Sequence, residues 1–230
     1  LLEANPDRSP LEVKSLLMNT GETEIYINPI TRPGDLAEIT RIGGGELRVD
    51  RAVASNTAAW VKDGTGADLS FGYLTVHQDL VLRKTVTIRN YGDRGVNYRL
   101  EPTFRYEDDR ASGAVRFTGP RAVRVPANSQ RDVTVTMRID ASKLPEWQLD
   151  GGPGGGDGTL LALNEFDGYL QIRGGGDEVH LPWHVLPHKA ADVDADKTVK
   201  LNRRGVGELE LENETRSGQP GGVDIFALTG

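Results

Sequence analysis

The sequence predicts a mainly β protein: an antiparallel β-sandwich preceded by a short helical segment. Two observations carry this. From about residue 68 onward, β-branched and apolar residues alternate with polar ones and are broken by Gly, Asn and Asp turns. Such period-two alternation buries one face of each strand and leaves the other to solvent. Before residue 60 the apolar spacing is helical instead.

Asn5-Pro6-Asp7 is turn chemistry, and Ser9-Pro10-Leu11-Glu12 reads as a capping box. Ser9 is the N-cap, Pro10 takes the first helical position, and Glu12 reaches back. Val13, Leu16 and Leu17 follow at i, i+3 and i+4 and predict one apolar face, with Gly21 as the stop. Leu1-Leu2-Glu3-Ala4 reads as the tail of an earlier helix, as in a piece of a longer polypeptide. Residues 22–42 read as irregular, with Pro29 and Pro33 as breakers. Gly43-Gly44-Gly45 reads as a tight turn, and Leu47, Val49, Ala52 and Val53 as a second short helix.

Strands are predicted at Leu80–Leu82 with Thr85–Ile88, Val96–Leu100, Val123–Val125, Val133–Ile139, Gly168–Ile172 and Val179–Leu181. Asn90-Tyr91-Gly92-Asp93 turns the first into the second. The tract Gly151–Gly158 is too glycine-rich to pack and reads as a flexible excursion. Pro182, Pro187 and the polar stretch Lys189–Lys197 read as a boundary. Thr198–Leu201, Gly207–Leu211 and Val223–Leu228 then read as the opening of a further β-module. A weak internal echo fits this, since Thr85–Asn90 followed by Tyr98–Leu100 resembles Glu208–Asn213 followed by Val223–Leu228. The expected organisation is therefore 1–60 helical segment, 61–190 sandwich, and 191–230 linker with the start of another module.

Composition narrows the function classes. The 230 residues carry 27% charged and 37% hydrophobic side chains, a globular balance. No apolar run approaches the roughly 18–20 residues of a membrane helix. A net charge of −7 argues against general nucleic-acid binding, which draws on basic patches. Cysteine is absent, which excludes disulfides, zinc–thiolate sites and thiol nucleophiles. No signal peptide is visible.

The sequence offers no catalytic constellation. It has no G-x-S-x-G elbow, and its four histidines are His77, His180, His184 and His188. The last three lie on one strand-like segment, where every fourth residue is about 13 Å apart, too far to share one zinc. They read as half-exposed strand histidines. Asp192, Asp194 and Asp196 begin like a calcium loop, but Lys197 and Arg203 stand where it needs Gly and Glu. The stretch reads as a solvated acidic linker. The glycine tract matches neither a phosphate loop nor a repeated calcium nonapeptide. Asn213-Glu214-Thr215 is a glycosylation sequon, relevant in a eukaryotic secretory host. Trp60, Trp147 and Trp183 read as core or domain-interface rings rather than as ligand platforms. No catalytic, cofactor-binding or metal-ligating residue is assigned, and no cofactor is expected.

Asn5–Thr20, an N-P-x-x-[ST]-P turn with a helix ending in Leu17-Met18-Asn19-Thr20, resembles the stretch after the nucleophile helix of subtilisin-like serine proteases. Gly43–Val53 resembles the G-x-G-x-[VL]-x-V-D-x-A-V segment that closes their catalytic domain. Leu69–Gly72, Lys84–Asn90, Val125–Ser129 with Val133–Met137, and Gly168–Ile172 with Leu181–Trp183 resemble the fibronectin-III-like domain that follows it in large bacterial subtilases. Together these cover about residues 1–190; the glycine tract and residues 191–230 depart from the pattern. The resemblance implies the non-catalytic C-terminal part of a secreted, extracellular endopeptidase, whose Asp, His and Ser would lie upstream of Leu1. Its partners would be that catalytic domain on the same polypeptide and the parent's protein substrates. The competing reading is a β-sandwich module for adhesion or for binding a glycan or protein, unrelated to proteolysis.

Overall fold

The computed structural model describes residues 1–62, 64, 66–147 and 158–222. Along the chain, α1 (Pro10–Asn19), β1 (Tyr26–Asn28), β2 (Arg32–Leu36), α2 (Ile39–Ile42) and α3 (Val49–Ala54) precede β3 (Thr57–Val61), β4 (Leu69–Val76), β5 (Leu80–Asn90) and β6 (Val96–Phe104). Then come α4 (Glu107–Ser112), β7 (Val115–Thr118), β8 (Ala122–Val125), β9 (Ser129–Ile139), β10 (Phe166–Gly174), β11 (Asp177–Lys189), β12 (Val193–Ala195) and β13 (Leu211–Asn213). The fold is mainly β, with a short helical segment first. A five-stranded sheet in the order β4-β11-β10-β6-β8 faces a four-stranded sheet in the order β3-β5-β9-β7. Within these two sheets every pair is antiparallel except β4 with β11, which run parallel.

The alternation seen in the sequence places Val86, Ile88, Met137 and Ile139 of one sheet against Leu100, Leu170, Ile172, Leu181 and Trp183 of the other. Trp183 is wholly buried, with Phe104 and Phe117 edge-on at 5.0 and 4.8 Å. Its Nε1 donates to the carbonyl of Thr103 at 2.9 Å, two strands away. Gly168 makes that reach possible. It lies in register with both Trp183 and Phe104, so all three share the inner face. A Cβ on Gly168 would stand 2.0 Å from the Thr103 carbonyl oxygen and 2.9 Å from the Phe104 Cα.

Helix α1 begins as its sequence dictates. Glu12 N–H donates to the Ser9 hydroxyl, and the Ser9 N–H donates to the Glu12 carboxylate at 2.9 Å. Its buried stripe, however, is Ser15, Leu16 and Asn19, rotated from the apolar stripe that Val13 and Leu17 suggest. The small Ser15 and the polar Asn19 let the helix lie close against β3. Leu16 packs there on Ala52 and Ala58, with Trp60 and Tyr91 alongside.

Several expectations are corrected. Leu1–Ala4 forms a turn rather than a helix end. Residues 22–42 are ordered, as the β1/β2 pair followed by α2. Thr57–Val61 is a strand, and its backbone joins residues 57–60 to the sandwich by pairing with β5. Its first three residues are buried on both faces, so it lacks the alternation that would have announced it. Polar α4 and short β7 also lack a prediction. Pro182 and Pro187 do not end β11. The His180 carbonyl points away from β10, and residues i and i+2 of a strand orient alike, so the missing N–H of Pro182 falls on that same side and breaks no β10 bond. Thr198–Leu201 forms no strand; β12 instead pairs with β13, inside the stretch expected as linker and new module. Val223–Leu228 and Gly151–Asp157 lie outside the described residues.

Trp183→Ala is expected to cost about 3–5 kcal/mol. Gly168→Ala is expected to cost about 1–3 kcal/mol, because the new methyl group overlaps the β6 backbone. Urea midpoints at unchanged m-value check both.

Candidate functional site

The polar groups that could carry function gather where residues 1–56 meet the sandwich. At one end of this seam Asn19 is wholly buried. Its Oδ1 accepts from Ala59 N–H of β3 at 2.7 Å, and its Nδ2 donates to the His180 carbonyl of β11 at 2.9 Å. The His180 ring, also buried, donates from Nε2 to the Gly44 carbonyl at 3.0 Å and meets Tyr169 edge-on. Glycine is required at that turn. A Cβ on Gly44 would lie 2.9 Å from the Met18 carbonyl oxygen, and Gly45 has φ +102° with Glu22 backbone 2.3 Å from its missing Cβ.

At the other end, β6 runs into Arg105 and Tyr106. Arg105 donates to the carbonyls of Ala37 (2.8 Å), Thr23 (2.7 Å) and Ile25 (3.0 Å), and the Tyr106 hydroxyl donates to that of Leu36 (2.8 Å). These bonds strap residues 22–42 to the sandwich. From β10, buried Asp167 accepts the Ile39 N–H at 2.6 Å. Buried Glu165 accepts from the Thr40 hydroxyl at 3.2 Å and pairs with His184 Nε2 at 3.0 Å. A cavity of about 710 Å³ opens beside them, lined by Leu36, Glu38, Arg105, Tyr106, Asp109 and Leu163 among others.

Carboxylates outnumber the cations free to meet them here. Asp167 Oδ1 and Asp109 Oδ2 are buried with no hydrogen-bond partner among the described residues. Burial, with the Asp108, Asp167 and Glu165 charges adding to it, pushes the Asp109 carboxyl up to about 8. Burial and Glu165 push Asp167 up to about 6, against the Ile39 N–H, Arg105 and His184. Burial and the Glu38, Asp167 and Glu165 charges also raise the Tyr106 hydroxyl. The cluster can therefore store a proton near neutral pH. No group of three or more His, Asp or Glu among the described residues is arranged to hold a metal ion.

The histidines are scattered. His180 is buried rather than half-exposed, because α1 and the Gly43–Gly45 turn cover that end of β11. His184 meets Glu165, and His188 Nδ1 meets the Tyr73 hydroxyl at 2.7 Å. His77 pairs with Asp192 at 3.3 Å. Of the acidic trio, Asp192 and Asp194 lie at the β12/β13 pair, where Asp194 stands opposite Glu212. Asn213 of the sequon donates from Nδ2 to the Gln219 carbonyl at 3.0 Å. Trp183 is core and Trp60 flanks Leu16; Trp147 lies 4.3 Å from the His188 ring and 6.1 Å from the exposed Tyr73 ring. Asn19 belongs to the Leu17–Thr20 motif, which does not mark it as a buried bridge; Arg105, Asp109, Glu165 and Asp167 carry no motif that marks them along the chain. The one available signal is an acid inside the otherwise apolar strand Phe166-Asp167-Gly168-Tyr169-Leu170.

No protein-family model matches the chain, and no curated protein matches it. Among solved structures it is similar to a FixG-related protein from Vibrio parahaemolyticus, at 7% identity and a TM-score of 0.35, over 57% of this chain and 94% of that one. A PapD-like domain of human CEP192 aligns at 12% identity and TM-score 0.35, over 59% of this chain and 87% of that one. Escherichia coli alpha-2-macroglobulin aligns at 14% identity and TM-score 0.36, over 64% of this chain and 11% of that one. Likenesses this distant carry no argument about function.

Asn19→Ala is expected to orphan the Ala59 N–H and the His180 carbonyl, at about 1–3 kcal/mol each, read from urea unfolding. Burial holds the His180 imidazole below its ordinary value of 6.5. The fold therefore binds that proton less readily than the unfolded chain does. His180's contribution to stability is complete above pH 6.5 and declines as the pH falls below it. The difference in urea midpoint between wild type and His180→Gln should shrink from about pH 7.5 to about pH 5.

Proposed function

We propose that this chain is the non-catalytic C-terminal region of a secreted subtilisin-like serine endopeptidase, in which residues 1–56 couple a catalytic domain to the sandwich. The observation that supports this reading is the two-sided character of that segment. Inward, Asn19, Ile39 and the strap carbonyls are fastened to the sandwich by buried hydrogen bonds. Outward, Leu2, Ile30, Leu47, Val49 and Val53 keep between 41% and 88% of their surface exposed, although the segment's buried apolar residues are few. Val49 and Val53 are four apart on α3 and are neighbours on its surface. Exposed apolar side chains in a segment that buries so few suit a permanent intramolecular neighbour. In this reading the catalytic triad lies on that neighbour, and protein substrates are the parent's.

The test is direct. A G-T-S-[MA] serine motif shortly before Leu1 in the gene supports the reading, and its absence overturns it. The purified chain is expected to leave casein intact. Val49→Asp with Val53→Asp is expected to leave the urea midpoint of this chain within about 0.5 kcal/mol of wild type, and to lower the yield of active protease from the longer polypeptide.

A second reading is a binding module for a glycan or a peptide. The observation favouring it is the surface trio Tyr73, Trp147 and His188, whose rings lie 4.3–6.1 Å apart. Their planes are inclined at 32–73°, which suits a cleft for a side chain better than a flat platform for a sugar. Retention on a polysaccharide or peptide column that is lost in Trp147→Ala would favour this reading.

A further inference from the structure

We propose that residues 22–42 form a proton-latched strap, closed while Asp109 carries a proton and loosened when it ionises. The geometry is a clamp with a charge fault beside it. Tyr106 and Arg105 hold the strap by the carbonyls of Leu36, Ala37, Thr23 and Ile25. Helix α4 starts immediately after Tyr106, so the residue that clamps Leu36 is joined directly to the helix that carries Asp109. Asp109 lines the same cavity as Leu36 and Glu38 of the strap. Its Oδ2 is buried without a hydrogen-bond partner among the described residues, and so is Oδ1 of wholly buried Asp167.

The charged and titratable groups around Asp109 are accounted for by element. The strap contributes Glu38, which pairs with Arg41 at 3.0 Å, and Asp35, which pairs with Arg32 at 2.7 Å. The α4 region contributes Arg105, Tyr106, Asp108 and the Glu107–Arg110 pair. From β10 and the residue before it come Asp167, Tyr169 and Glu165, and from β11 comes His184, engaged by Glu165. β7, packed against α4, contributes Arg116, whose guanidinium lies beside Gly113 at the far end of the helix. Arg41, Arg32, Arg110 and His184 thus already face carboxylates, and Arg105 is spent on backbone carbonyls. Asp167 has the Ile39 N–H to support its charge; Asp109 has no such donor on its buried oxygen among the described residues.

The folded state holds the Asp109 proton more tightly than the unfolded chain does, with a folded value of about 8 against an ordinary 3.8. By linkage, the penalty for ionising it builds as pH rises from the ordinary value toward the folded one. It falls on α4 and, through Tyr106, on the strap. This holds whatever covers the outer face of residues 1–56, so the failure of either idea leaves the other standing.

Hydrogen exchange of the whole chain between about pH 5 and pH 9, corrected for intrinsic rates, tests it, with β5 and β9 amides as internal reference. Protection of the 22–42 amides, Ala37 and Ile39 foremost, is expected to fall about tenfold relative to β5 and β9, the factor that follows when the closed strap binds the proton about ten times more tightly than the loosened one. Asp109→Asn is expected to flatten that slope, while Asp93→Asn, at an exposed position between β5 and β6 and outside the cluster, should retain it. A strap whose relative protection does not change with pH overturns the proposal, as does an Asp109→Asn profile with the wild-type slope. Should Asp109→Asn not fold, carboxyl-carbon NMR of the wild-type chain decides. An Asp109 midpoint near 8 supports the latch, and one in the ordinary aspartate range overturns it.

Discussion

The arrangement of this protein depends on one carboxamide. A strand edge buried beneath a helix leaves N–H and C=O groups that water cannot reach, and each must find a partner. β3 is such an edge, and so, in the other sheet, is the stretch of β11 before its pairing with β4 begins at Trp183; Asn19 supplies an acceptor to the first and a donor to the second. Asn presents both groups on one short side chain, and no apolar residue could replace that function. Because the His180 carbonyl is satisfied from outside β10, the strand tolerates Pro182 on the same side. The His180 ring, for its part, holds the Gly44 carbonyl. That turn in turn pairs Glu46 with Glu22, and the segment before the sandwich takes its path.

The molecule divides its labour between a dry core and a polar seam. The core between the sheets, centred on Trp183 and the gap left by Gly168, is the source of stability, since burial of large apolar side chains is the dominant favourable term. The seam contributes position rather than energy. Buried charges there are only partly compensated, and breaking such networks costs more than forming them gains. A seam of this kind fixes where the strap runs and makes its hold depend on protonation, which an apolar contact could not do.

Much of the architecture was legible in residue patterns. Alternation in Thr85–Ile88 and Val133–Ile139 led to β5 and β9, and Ser9 with Glu12 marked the start of α1 to the residue. Patterns failed where their physical premise failed. Thr57–Val61 is covered on both faces, so it shows no alternation, and α4 buries no residue completely, so it shows no apolar stripe. The strap was read as irregular because Pro29 and Pro33 break propensity, yet it is held by Arg105 and Tyr106, some seventy to eighty residues away in sequence.

By itself, then, the sequence determined the sandwich, the helix caps and the exclusion of thiol chemistry, because these rest on local periodicity, on short-range hydrogen bonds and on composition. Only the tertiary structure decided the polar seam. Asp167 looks like an ordinary polar residue along the chain, and the motif that holds Asn19 says nothing of its partners; what makes them matter is the loss of water around them when β3, β10, β11 and α1 come together. Desolvation and long-range pairing are properties of the assembled fold, and no spacing within the sequence encodes them.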